Sequence, residues 1–97
     1  MLIRFRRDAD GQPHIWRHGV TEEEVLEAFA RRGEDRPGDN DSRVAIGHTR
    51  AGRILRLVYS PDPGGRSAFL VTAYDLVGKP LRAYNRRRKR RGGRRPA

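Results

Sequence analysis

The chain has 97 residues and no cysteine, with 22 Lys+Arg against 12 Asp+Glu for a formal net charge of +10. That length makes one domain, and the missing cysteines exclude a disulfide framework and a thiolate zinc site. No run approaches the ~18 apolar residues of a membrane-spanning helix. MLIRFRRDAD holds too few apolar residues for a signal peptide, so a cytoplasmic location is expected.

The elements are predicted in chain order. LIRF (2–5) reads as a short edge strand, and DADGQP (8–13) carries the chemistry of a turn. HIWRHG (14–19) reads as a helical turn or a loop, with Gly19 free to take a positive φ. The strongest local signal is GVTEEEVLEAFARRG. Thr21 and Glu24 form a capping box, and Val20 with Val25 forms a hydrophobic staple. Glu22, Glu23 and Glu24 suit the positive end of the dipole, as Arg31 and Arg32 suit the negative end. The spacing predicts a helix over 22–32, burying Val25, Leu26, Ala28 and Phe29 and ending at Gly33.

EDRPGDNDS (34–42) reads as a polar loop. RVAIGHT (43–49), RILRLVYS (53–60) and RSAFLVTAY (66–74), separated by short turns, read as a three-stranded antiparallel meander. After Tyr74, Pro80 fits the first turn of a short helix that Leu81 and Tyr84 dock on the body. The expected class is therefore α+β: a small meander of three to four strands with helices on one face, in residues 1–84. Residues 85–97 are expected to form a basic, disordered tail.

Charge is unevenly placed. Ten of the 22 basic residues lie from Lys79 onward, with no acid among them, so the other twelve balance twelve acids in 1–78. Such a basic end suits a polyanion. It has no aromatic residue after Tyr84, so it would neutralise phosphates without stacking bases.

The chain resembles the RelE/ParE superfamily of small bacterial toxins, and more closely its BrnT-like branch. The residues that carry the resemblance are RHGVTEEEVLEAF, VAIGHTRAGRILRLVYS and FLVTAYDLVGKPLRAY, spanning roughly 14–84. Tyr74 stands where that branch usually has a basic residue, and the basic tail is heavier. The resemblance implies a metal-independent endoribonuclease toxin of a type II toxin–antitoxin pair. Its partners would be RNA, free or on the ribosome, and a small antitoxin of ribbon-helix-helix type.

Metal-free RNA cleavage needs a base for the 2′-OH, an acid for the leaving oxygen and cations for the phosphorane. Histidine has a suitable pKa, tyrosine needs neighbouring arginines, and arginine clamps phosphate. The expected catalytic residues are Arg53, Tyr74, Arg82 and His18. Lys79, Tyr84, Arg86, Arg87, Arg88, Lys89, Arg90 and Arg91 are expected to contact nucleic acid. No cofactor is expected: His14 and His18 are spaced i, i+4, but no third metal ligand stands near them. His48 is expected to be solvated, and Trp16 to cap the core rather than stack a base. The alternative to a ribonuclease is a non-catalytic nucleic-acid-binding module that keeps the toxin fold. A third reading is a structural partner localised by its tail.

Overall fold

The capping box at Thr21 forms as expected. The Glu24 amide donates to Thr21 Oγ1 at 3.1 Å, and the Thr21 amide donates to Glu24 Oε1 at 3.0 Å. Two N–H groups with no intrahelical partner are thereby satisfied. The computed structural model describes residues 2–92, with side chains through Arg90. In it helix α1 spans Glu22–Ala30. Val20 and Val25 are both fully buried in one cluster with Ala28 and Phe29. Leu26, expected in that stripe, is 48% exposed. A 3₁₀ turn at His14–His18 precedes α1, and Gly19 closes it at φ 68°.

Helix α1 ends before Gly33 because the chain enters a strand at Arg32. The strands are β1 (Leu2–Phe5), β2 (Arg32–Pro37), β3 (Arg43–His48), β4 (Ile54–Pro61) and β5 (Ser67–Asp75). They form one sheet in the order β1-β5-β4-β3-β2. Strands β2 to β5 are antiparallel neighbours, and β1 pairs parallel with β5. The class is α+β with a five-stranded mixed sheet. Strand β2 corrects the expectation of a polar loop after the helix. It lacks apolar alternation, and carboxylate pairing ties it to its neighbours instead. Asp35 accepts from Arg32 at 3.1 Å, from Arg43 at 2.8 Å and from the Tyr59 hydroxyl.

Alternation along β4 divides the core. Leu55, Leu57 and Tyr59 are buried under α1 and the 3₁₀ turn, together with Ala45, Leu70 and Ile15. At Gly47, a Cβ would lie 1.9 Å from the Ala28 carbonyl oxygen, so α1 rests on backbone there. Residues 54, 56 and 58 face the other way. That second face is covered in part by helix α2, Gly78–Gly92. Tyr84, Ile46 and Leu76 form its buried cluster, with Ile54 and Leu81 packed against them. The helices therefore occupy both faces, not one. Residues 85–92, expected as disordered tail, continue α2; residues 93–97 lie outside the described part.

Candidate nucleic-acid interface

Helix α2 has the sequence GKPLRAYNRRRKRRG. Its geometry sorts these residues. At 3.6 residues per turn, Lys79, Arg82, Arg86, Lys89 and Arg90 fall within an arc of about 100°, with Tyr84 on the opposite side. All five of those basic residues are exposed. Tyr84 is 1% exposed. Its hydroxyl lies 2.6 Å from His48 Nε2 and packs against Gly33, where a Cβ would sit 2.9 Å from it. Tyr84 therefore anchors α2 and is not presented to a ligand. His48, expected in solvent, is half-buried beneath that helix, and burial, followed by the nearby Arg88 charge, pulls its pKa below the usual imidazole value.

Two other residues expected at this surface help to dock α2. Arg87 Nε and Nη2 donate to Glu34 at 2.6 and 2.9 Å, joining α2 to β2. The Arg88 guanidinium lies 5.6 Å from the Tyr84 ring centroid. What remains is a one-sided row of cations with like charges at i,i+3 and i,i+4. Such spacing destabilises an isolated helix. Here the buried Tyr84 cluster and the Arg87–Glu34 pair hold the helix, and the repulsion is left facing solvent. Arg91 belongs to α2, but its side chain lies outside the described part.

Arg53 sits elsewhere. It precedes β4 and turns to the α1 side of the sheet. Its Nε and Nη2 donate to both oxygens of Asp75 at 2.7 and 3.2 Å. Its Nη1 donates to the Gly19 carbonyl at 2.8 Å and to both Glu24 oxygens at 3.1 Å. This guanidinium ties β5, α1 and the 3₁₀ turn together. The carboxylates respond: Glu24 is pulled below its usual pKa by the Thr21 amide and by Arg53, and Asp75 by Arg53. The expected pairing of Arg53 with Tyr74 does not form, because Tyr74 lies opposite Arg56 in the sheet register. Arg82 is on α2, so the four expected catalytic residues do not converge.

Three of them do lie close together, for Arg53 Nη2 also donates to the His18 carbonyl at 3.5 Å. The His18 and Tyr74 rings are 5.7 Å apart at the β5 edge, and the His14 ring is 5.3 Å from His18. His14 Nδ1 donates to Asp8 at 3.0 Å, and Arg17 donates to the other Asp8 oxygen at 2.5 Å. Those bonds, Arg17 first and then His14, lower the Asp8 pKa. The Arg56 guanidinium lies 6.0 Å from the Tyr74 ring. Sequence reasoning gave His14 and Asp8 no role, since their contact depends on how the 3₁₀ turn folds back beside β1. Trp16, expected to cap the core, is 51% exposed and donates to Glu22 at 3.0 Å. Among the described residues no group of three or more His, Cys, Asp or Glu side chains is placed to hold a metal ion. No family model, curated protein or solved structure matches the chain.

Proposed function

We propose that this protein binds RNA, with the outward row of α2 as its phosphate-binding surface. The observation that carries the reading is the arrangement of Lys79, Arg82, Arg86, Lys89 and Arg90 on one exposed arc without a carboxylate partner among the described residues. Each phosphate contact releases condensed counterions, so binding should weaken steeply with salt. Five contacts to a single strand correspond to a slope of about −3.5 in log K against log salt. The nucleic acid is read as RNA because the chain resembles RelE/ParE toxins of the BrnT type. Arginine rows of this kind position a backbone and carry no base preference.

The test is a salt series with a labelled single-stranded RNA and the full chain. Arg82→Gln, Arg86→Gln and Lys89→Gln together should flatten the slope by about 2. An unchanged slope in the triple variant sinks the reading.

A second reading is favoured by the edge cluster of Asp8, His14, His18 and Tyr74. Two imidazoles in ring contact, one oriented by a carboxylate, supply the acid and base that attack by the 2′-OH requires. On this reading the protein is a metal-independent endoribonuclease of the toxin–antitoxin kind, restrained by a small ribbon-helix-helix partner. RNA fragments with cyclic phosphate ends, lost in His14→Ala and His18→Ala, would establish it. Intact RNA after prolonged incubation with the purified chain leaves binding alone.

A further inference from the structure

A cleft of about 400 Å³ lies between α2 and the sheet. That is within the range of small-molecule sites. Its apolar walls include Val44, Ile46, Leu76 and Pro80. Three arginines, Arg36, Arg56 and Arg87, also line it. Two of these are matched within the protein: Arg36 and Arg87 both pair with Glu34, at 2.6 Å each. Arg56 differs. It lies at the middle of the central strand β4, between Ile46 and Tyr74 in the register. Its Nε is buried and has no hydrogen-bond partner among the described residues. A buried guanidinium N–H without an acceptor is uncommon in folded proteins and calls for an anion or another polar group.

We infer that this cleft binds a nucleoside phosphate, with Arg56 as the anion contact and the apolar walls against the base or sugar. The choice of ligand class rests on the reading of α2 as a phosphate-binding surface. The cleft reaches α2 at Pro80, Ala83 and Arg87. Those positions lie beside the exposed row on the helix circumference. A strand lying on that row can turn one nucleotide inward. Arginine suits the role because its planar fork binds phosphate oxygens in pairs and its face accepts a stacked base. Asp39 at the cleft supplies an acceptor for an exocyclic amino group. Two sources share this chemistry: a free mononucleotide, or a nucleotide of the bound strand.

The experiment is a calorimetric titration of the full chain with AMP, beside a single-stranded RNA 10-mer. The wild-type protein should bind AMP saturably, and Arg56→Gln should weaken that at least tenfold. Ala83→Trp fills the cleft from the α2 side, leaves Arg56 in place, and should weaken AMP to a similar degree. It carries the test if Arg56→Gln fails to fold. Loss of 10-mer affinity in Arg56→Gln assigns the cleft to a nucleotide of the strand; loss of AMP alone assigns it to a free nucleotide. The inference is overturned if AMP does not bind saturably, or if neither cleft variant changes its affinity. Salt-sensitive 10-mer binding without AMP binding would refute the cleft and keep the α2 surface; absence of both would remove the two together.

Discussion

Arg53 separates a structural role from a phosphate-binding one. Replacing it with Met keeps the aliphatic stem and removes the fork that bonds Asp75, Glu24 and the Gly19 carbonyl. The cost lies between two limits. An isolated exposed ion pair contributes about 0.2–1 kcal/mol, whereas breaking a fully buried one costs about 3–5 kcal/mol. The Glu24 and Asp75 side chains are 27% and 49% exposed, so water recovers part of their solvation once Arg53 is gone. One bidentate pair with Asp75, one nitrogen shared between the two Glu24 oxygens, and one bond to a backbone carbonyl place the loss at about 2–3 kcal/mol. For a domain of this size that lowers Tm by roughly 10–20 °C. The loss should also depend on pH. Glu24 and Asp75 have folded pKa values below their unfolded ones. Their contribution is therefore complete above their unfolded values, about 4, and disappears as pH falls through the lowered folded values. Wild-type and Arg53→Met stabilities should differ fully at pH 7 and draw together as pH falls below about 4. Urea denaturation across that range measures both. A variant as stable as wild type at pH 7 that has lost RNA affinity would refute this reasoning and make Arg53 a ligand contact.

Gly47→Ala places a Cβ 1.9 Å from the Ala28 carbonyl oxygen and 2.6 Å from its carbon. Neither strand β3 nor helix α1 can yield cheaply there, so the variant should lose about 3 kcal/mol or more in thermal or urea denaturation. Thr72 carries a buried hydroxyl with no hydrogen-bond partner among the described residues. Thr72→Val should therefore gain about 1 kcal/mol in the same assay, and a loss of stability would show that the hydroxyl has a partner. His48, with its pKa lowered by burial and by Arg88, charges more readily in the unfolded chain. Its stabilising effect is complete above its unfolded pKa of about 6.5 and declines as pH falls below it. The stability gap between wild type and His48→Gln should narrow from pH 7 to pH 5, read by denaturant midpoints at each pH.

What the sequence determined by itself was local. The capping box at Thr21 and Glu24, the αL glycine at Gly19 and the β-prone runs of β3, β4 and β5 involve residues within one turn or one strand. Their physics is complete in a short window, and each appears in the structure within a residue or two of its expected place. Tertiary structure decided what depends on a distant partner. Strand β2 has no apolar rhythm; it forms because Asp35 and Glu34 meet Arg43, Tyr59 and Arg87 across the fold. The basic segment 85–92 reads as disordered because it has little to bury, yet Tyr84 one residue before it is buried on Ile46 and the segment continues as helix. That docking divides the basic residues, with Arg87 pairing inward and Lys79, Arg82, Arg86, Lys89 and Arg90 facing outward. Arg53 shows the same limit at the site. A window around Gly52 shows an arginine opening a strand, but only the folded chain brings Glu24 and Asp75 to either side of it. Charge is legible in sequence as composition; its pairing is a property of three-dimensional distance, because hydrogen bonds act over about 3 Å and screened Coulomb attraction over about 10 Å, and neither takes account of chain separation.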